Sequence, residues 1–442
     1  MAETVGVCSD DWVSVVRFDP RILFVDQTGE LGGAELCLAD LAIRLRNRGS
    51  VFLFEAGPFE ELLKQNGVDV RLANRAGPKP SVSKRSRFYA YLFALPGLLS
   101  LIGDLARAAK GFDLLYANTA KAMMVTTAVG LLLRKRFLFH LHDMIDAAHF
   151  SRLNRWLLVL AANLATGVIA NSEATAAAYR RAGGRNRNLA LVPNGFRPEL
   201  FRGNGPELRP AIASEGRSVI GMFGRITSWK GQKVLIQALA QVPDVTAVFV
   251  GAPLFTDEDK TYQQELIVQA KELGVADRVQ FAGFQRNILP YLKAVDLVAH
   301  CSISPEPFGR VIVEALLAGK PVIATRGGAP AEIIEDGVTG VLVSPNESAE
   351  LAAAIRSLLA DPVRASQMAA RGREIVSKRY SLDHLLPEWI EFIDRSASWK
   401  ATRQSGGSAS LRHSEPGVSA EQKTSGVGCG LEPHPTKAGV SL

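Results

Sequence analysis

Short apolar runs alternate with longer stretches of helical spacing along most of the chain. In the first half, strands are predicted at residues 21–26 (RILFVD), 51–54, 114–117, 137–141, 167–170 and 189–192, with a helix over 34–46 after the first of them. The second half repeats the scheme at 218–222, 247–250, 279–282, 297–300, 321–324 and 340–343, each run followed by a helix-like or turn segment. A βα repeat of this kind builds α/β domains around doubly wound parallel sheets. Two such domains are predicted, joined through residues 196–216, which are rich in Gly, Pro and charge and poor in apolar periodicity. The assigned bounds are an extension at 1–20, a first domain at 21–205, a second at 206–380 and a terminal helix at 381–397. The Gly-, Ser-, Pro- and Lys-rich residues 398–442 read as a disordered tail without a catalytic role.

Length agrees with two domains, since 442 residues exceed what one compact core holds. Cys8, Cys37, Cys301 and Cys429 lie far apart with no CxxC spacing, which argues against a disulfide framework or a zinc site and fits a reducing, cytoplasmic compartment. Residues 1–20 lack the basic start and continuous apolar core of an export signal. The apolar runs 89–103 and 156–170, interrupted by Pro96 and Asn163, are too short to span a bilayer comfortably.

The net charge of +7 is unevenly placed: +8 on residues 1–210, −3 on 211–395 and +2 on the remainder. Within the basic half, residues 79–87 (KPSVSKRSR) lead into an aromatic-apolar stretch. Two readings stand, a segment that settles peripherally on an anionic membrane at its inner face, or a buried helix with a solvated basic lead-in. No nucleic-acid-binding motif accompanies the charge, so a nucleic-acid partner is not expected.

The densest chemistry lies at 305–315 (PEPFGRVIVEA), where the strand 297–300 turns into a helix, the place at which open α/β sheets bind ligands. Glu306 and Glu314 flank Phe308-Gly309; eight fully helical steps would separate them by ~12 Å. That span matches the hexose-to-ribose distance of a sugar nucleotide. In isolation the pair would read as a loop carboxylate favouring a helix start and an exposed helix position. A basic loop upstream argues otherwise: GRITSWKG at 224–231 sets Arg225 and Lys230 ahead of a helix, where two cations can grip a diphosphate and stabilise it as it leaves. After the first strand, QTGELGGAE places Gly32 and Gly33 at the mouth of a helix, allowing close approach to a phosphate or sugar; the pattern is not GxGxxG, and a tight turn without a ligand is the alternative. Asp257-Glu258-Asp259 matches a DxD metal signature but reads as the acidic first turn of a helix. His140, His142, Asp143, Asp146 and His149 resemble a metal-ligand cluster that no further His/Cys set completes. One functional histidine at a strand end is preferred, with His140 packed in the core.

On these residues the chain resembles, over roughly 20–395, the retaining nucleotide-sugar glycosyltransferases of family 4, or glycosyl transferases group 1, with two facing Rossmann-like domains (the GT-B fold). The carrying motifs are FGRITSWKG, VQFAGF, PEPFGRVIVEALLAGKPVIAT and GGAPAEIIEDGVTGVLV in the second half; GELGGAE, His142-Asp143, ANSEAT and LVPNG carry it in the first. The resemblance implies that Arg225 and Lys230 bind the donor diphosphate, Glu314 the ribose, and Glu306 with the amides around Phe308 and Gly309 the hexose. Gly32 and Gly33 would approach the diphosphate from the opposite domain, His142 would lie beside the donor sugar, and residues 279–284 would border the base. It further implies retention, no metal and no cofactor, a UDP- or GDP-sugar donor, a same-face mechanism in which the leaving phosphate helps deprotonate the acceptor, and a last helix crossing back onto the first domain. The expected activity is hexosyl transfer to a glycan or lipid-linked acceptor in cell-envelope or exopolysaccharide assembly. Asn118, after the strand 114–117, is placed on the acceptor side. A sugar-nucleotide epimerase on the same fold and a non-catalytic interaction protein are the alternatives. An NAD-dependent oxidoreductase is disfavoured by the missing GxGxxG.

Overall fold

The computed structural model describes residues 19–74, 88–203, 208–209, 216–253 and 257–398. The first eighteen residues, the basic stretch 79–87, much of the junction and the tail from 399 lie outside the described residues.

Seven strands form the first sheet: β1 (Ile22–Asp26), β2 (Gly49–Leu53), β3 (Asp69–Leu72), β4 (Leu114–Ala117), β5 (Arg136–Leu141), β6 (Gly167–Ala170) and β7 (Leu189–Leu191). Their order is β3-β2-β1-β4-β5-β6-β7 and every pairing is parallel. Period-two alternation divides the strands between two cores, one on each face. Leu23, Val25, Leu115 and Phe139 enter one, and Ile22, Phe24, Tyr116 and Leu138 the other. Strand β3 (DVRL) escapes the hydrophobic pattern because it is an edge strand, partly exposed and charged; Asp69 accepts a bond from Ser50 Oγ at 2.7 Å.

The second sheet contains β8 (Ser218–Phe223), β9 (Val245–Val250), β10 (Val279–Gly283), β11 (Leu297–His300), β12 (Val322–Thr325) and β13 (Val341–Val343), also all parallel, in the order β10-β9-β8-β11-β12-β13. Each sheet reverses its winding once, between β1 and β4 and between β8 and β11. Crevices at the carboxyl ends of those strands are where such sheets take ligands.

The chain passes between the sheets twice, side by side: Phe196 N donates to Tyr380 O at 2.8 Å and Leu382 N to Phe196 O at 2.7 Å. The helix Leu382–Ser398 then packs on the first sheet, burying Trp389, Phe392 and Ile393 with Ile22 and Phe24. Arg48 pairs with Asp394 at 2.7 Å beside that contact.

Among the described residues, no helix is long and apolar enough to cross a membrane. The apolar run at 89–103 lies in a helix, Phe88–Ala108, that continues through Pro96 rather than breaking there. The run at 156–170 divides into the end of the helix Arg152–Leu164 and strand β6.

Candidate active site

The wall contributed by the first sheet is built from the ends of three adjacent strands. Asp26 closes β1, Asn118 follows β4 and His142 follows β5, so neighbouring strands deliver three polar side chains to one spot. Asn118 Nδ2 donates to Asp26 Oδ2 at 2.7 Å and to Ala34 O at 3.1 Å. With both amide hydrogens committed, Asn118 Oδ1, 2.9 Å from His142 Nε2, must accept, which assigns the ring proton to Nε2. Burial, with Arg310 nearby, lowers the His142 pKa to about 3 against the opposing pull of Asp143, so the ring is neutral. Asn118, expected on the acceptor side, borders the cleft and is buried there, bonded to Asp26, Ala34 and His142.

Gly32 and Gly33 open the helix Gly33–Arg44 beside this chain of bonds. Gly32 stands at the helix N-cap with an extended φ of −125°, so the glycine is not required by backbone conformation. Contact explains the pair: a Cβ on Gly32 would stand 2.5 Å from Glu35 Oε2, and one on Gly33 would stand 3.2 Å from Arg310 Cδ. The Glu35 carboxyl therefore folds over the turn. Burial, reinforced by Asp26 and Asp143, raises its pKa to about 8, while Asp26 is raised to about 6, chiefly by burial.

The facing wall comes from the second sheet. Beyond β8, Arg225 has its guanidinium 6.0 Å from the Trp229 ring centre, and the Lys230 ammonium is 4.3 Å from the same ring. Past β11, Glu306 is buried, and its Oε2 accepts from Lys230 Nζ at 2.7 Å, Ser302 Oγ at 2.7 Å and His300 Nε2 at 3.1 Å. Burial alone would raise the Glu306 pKa; Lys230 and the hydrogen bonds outweigh it and hold the carboxyl well below the ordinary range. Backbone bonds from Glu306 N to Gly327 O and from Ala329 N to Glu306 O fix the loop. Gly309 then turns the chain through a left-handed φ of +88° into the helix Arg310–Leu317. Glu314, buried in that helix, has Oε1 3.4 Å from Arg310 Nε. The Phe308 side chain packs between Phe196 and Tyr380, at centroid distances of 6.2 and 5.5 Å, so the ring anchors the loop while its backbone borders the cleft.

Bonds across the cleft hold the walls in register. Ser172 Oγ and Thr175 Oγ1 donate to Pro307 O at 2.5 and 3.1 Å, and Glu332 accepts from the Glu173 and Ala174 amides at 3.0 and 2.8 Å. The ANSEAT segment thus begins the helix Glu173–Arg181 and grips the loop that carries Glu306. His142, Arg225, Lys230, Glu306, Glu314 and the glycine pair all line one cleft of about 2000 Å³. Phe284, at the end of the 279–284 segment, lines it too.

His300, Ser302 and Arg310 were not singled out by the sequence. The first two stand at a strand end beside the PEPFG loop, the available signal; nothing in the spacing marks Arg310 as reaching the other wall. His140 is a core residue, with Nδ1 2.9 Å from Tyr116 Oη and its ring edge-on to Trp389. The fold supplies the third donor that the sequence pattern lacked, since Cys37 gathers with His140 and His142, ligand atoms within 4.8 Å of one another. Burial pushes the Cys37 thiol to about 12, so the sulfur is a protonated, core-like group. In the DxD-like segment, Asp257 lies in the first turn of the helix Asp257–Glu272 and pairs with Lys260 at 2.9 Å.

Residues 206–375 match the family described as Glycosyl transferases group 1, and residues 31–200 match Glycosyltransferase Family 4. The chain spans about half the length of the curated relatives it matches first. It is 33% identical over 175 residues to the lipopolysaccharide core biosynthesis glycosyltransferase LpsE of Rhizobium meliloti, covering 40% of this chain and 49% of that protein. It is 32% identical over 213 residues to the lipopolysaccharide 1,2-N-acetylglucosaminetransferase of Salmonella typhimurium, covering 46% and 55%. The crystal structure of Anabaena HepE in complex with UDP and glucose superposes with a TM-score of 0.77 at 39% identity, over 84% of this chain and 98% of that one. Motifs, twin parallel sheets and similarity over most of the chain converge: the chain belongs to glycosyltransferase family 4, the glycosyl transferases group 1, with the GT-B fold.

Proposed function

We propose that this protein is a retaining glycosyltransferase that moves a hexosyl group from a nucleoside-diphosphate sugar, UDP-linked by preference, to a glycan or lipid-linked acceptor of the cell envelope. The observation that carries this reading is the ionised Glu306, tied to Lys230, on the wall opposite Gly32, Gly33 and a neutral His142. A buried carboxylate can accept hydrogen bonds from sugar hydroxyls, while Arg225 and Lys230 meet the diphosphate. Glu314 would take the ribose. The UDP-glucose complex of HepE, 39% identical to this chain, supports the choice of donor, and the lipopolysaccharide relatives support the setting.

In this reaction the bond from sugar C1 to the diphosphate oxygen breaks, and the acceptor oxygen forms its bond to C1 on the same face. The acceptor proton passes to the departing phosphate. Arg225 and Lys230 stabilise the charge that gathers on the diphosphate, a role a metal plays elsewhere, so transfer should persist in chelator. His142, held neutral with its proton on Nε2, orients donor hydroxyls and is not assigned as a base. The test is a sugar-nucleotide panel: UDP-glucose or another UDP-hexose should raise the melting temperature and be consumed with acceptor, giving a product of unchanged anomeric configuration by NMR. An unchanged melt with UDP, GDP and ADP sugars alike would sink the donor assignment, and an inverted product would sink retention.

For a lipid-linked acceptor, a peripheral surface is available on the first domain. Trp156, Leu160 and Leu164 are exposed at four-residue steps along one helix, and Leu95 and Leu99 on another, in a half of the chain with net positive charge. Co-sedimentation with anionic but not zwitterionic vesicles, lost in Trp156→Ser, is the expected result; equal recovery from both would remove the proposal.

A further inference from the structure

We infer that Arg310 is a third phosphate-binding cation of the donor site, one that exchanges its contact with Glu314 for the phosphate next to the ribose. The inference rests on the donor reading above and deepens it. Arg310 is the first residue of the helix that carries Glu314, yet its side chain reaches the other wall. Its Cδ is 3.2 Å from where a Cβ on Gly33 would stand, and its guanidinium carbon is 4.4 Å from the Phe196 ring centre. Only 13% of the side chain is exposed. Buried guanidinium groups normally fill their hydrogen bonds, but among the described residues Nη1 has no hydrogen-bond partner, and Nε has only the 3.4 Å ion-pair contact with Glu314, outside hydrogen-bond geometry. Asp40, the other nearby carboxylate, is paired at 3.3 Å with Arg197.

The chemistry of the missing partner follows from what surrounds it. Arg310 lines the cleft beside the start of the helix Gly33–Arg44, with buried guanidinium donors left unfilled, and the first amides of that helix also favour an anion. In a nucleoside-diphosphate sugar the α-phosphate is bonded to the ribose. A ligand whose ribose reaches Glu314 therefore brings that phosphate to Arg310, one ion-pair contact away. Ribose hydroxyls then take the carboxylate, and the guanidinium, released from Glu314, turns to the phosphate oxygens. Arg225 and Lys230 remain on their own loop beyond β8.

The experiment compares ligands with and without phosphate by calorimetric titration of the full chain with uridine and UDP, and with guanosine and GDP. Arg310→Met should weaken diphosphate binding by roughly 10- to 100-fold, the range for a lost charge-assisted bond, and flatten its salt dependence while leaving nucleoside binding unchanged. Arg310→Lys, which keeps the charge in a conservatively folded variant, should recover part of the loss. Equal weakening of nucleoside and diphosphate would overturn the inference and leave Arg310 as a support for Glu314. Unchanged diphosphate binding in both variants would also overturn it. Wild-type protein indifferent to every nucleoside diphosphate would instead bring down the donor reading, and the inference with it.

Discussion

Glu35 and Glu306 are the same residue type, each buried in a loop or helix start beyond a strand of its sheet, yet the two halves of the molecule put them in opposite states. Glu306 sits among an ammonium, a hydroxyl and an imidazole, and these outweigh its burial, so it is an anion. Glu35 sits beside Asp26 and within the field of Asp143; burial and repulsion act together, and its pKa rises to about 8. The lesson is that burial alone does not set charge, because partners decide whether desolvation is overcome. The cleft thus sets an ionised carboxylate, Glu306, on one wall against proton-holding carboxyls, Glu35 and Asp26, on the other. Lys230 and Arg225 suit a diphosphate, and the ionised Glu306 beside them suits the hydroxyls of the sugar.

The comparison breaks most visibly at Glu306. Glu306→Gln keeps the shape and removes the charge that Lys230, His300 and Ser302 converge on. Transfer should fall by a factor on the order of 10² to 10³ in kcat, the scale for losing a group that acts at the reacting centre. Steady-state kinetics on a correctly folded variant checks this, and near wild-type turnover would remove Glu306 from the site. The second step is a double-mutant cycle. Lys230→Met alone leaves a buried carboxylate without its cation, whereas Lys230→Met with Glu306→Gln leaves neither charge uncompensated. Unfolding free energies should therefore be non-additive by about 1–3 kcal/mol, the double variant being more stable than the two single losses imply. Additivity would mean that the 2.7 Å pair is energetically inert.

Most of this arrangement was legible in the sequence where a residue stood at a strand end with a distinctive neighbour. Glu306, Lys230 and His142 follow buried apolar runs, so periodicity puts them near the carboxyl edge of a sheet, and Glu314 lies in the helix that comes next. Strand β3 was illegible because its two charged residues hide an edge strand in a loop-like pattern. Position after a strand also puts Asn118 at the crevice, which it lines, but does not encode that its amide bonds back to Asp26. Arg310 and the Cys37, His140, His142 cluster depend on how one wall meets another or a helix meets a sheet, and no local spacing encodes that.

On the proton-holding wall, the sharpening experiment is a pH series. Glu35 ionises near 4.5 in its unperturbed state and near 8 in the folded protein. Between those values the folded state keeps a proton that the unfolded chain has lost, so stability falls as pH rises through this window. Asp26, raised from 3.8 to about 6, adds the same sign over a lower range. Glu35→Gln abolishes the titration without changing size. Its melting temperature should match wild type near pH 5 and exceed it increasingly toward pH 9, by a few kcal/mol of stability at most. Parallel curves for the two proteins would show that Glu35 is ionised throughout and that the two walls are less different than their geometry states.

The smallest effect lies where the walls touch. Ser172 Oγ and Thr175 Oγ1 both donate to the Pro307 carbonyl, one residue from Glu306. A carbonyl has two lone pairs, so removing one hydroxyl leaves the other in place. Ser172 also caps its own helix by accepting from Thr175 N at 3.0 Å, whereas the Thr175 hydroxyl has no such duty. Thr175→Val therefore removes the bond across the cleft, along with the hydroxyl's contacts to Ser172 Oγ at 2.9 Å and Met144 Sδ at 3.8 Å, while keeping the cap. Unfolding free energy should drop by about 1 kcal/mol, the net worth of one hydrogen bond. Because Pro307 directs Glu306, KM for the donor should rise a few-fold with kcat nearly kept. Ser172→Ala should lower stability further, by a combined cap and cleft loss of roughly 1–2 kcal/mol. A Thr175→Val enzyme with unchanged KM would mean that the second sheet positions Glu306 without help from the first, and that the two walls are aligned by the packing of the Leu382–Ser398 helix instead.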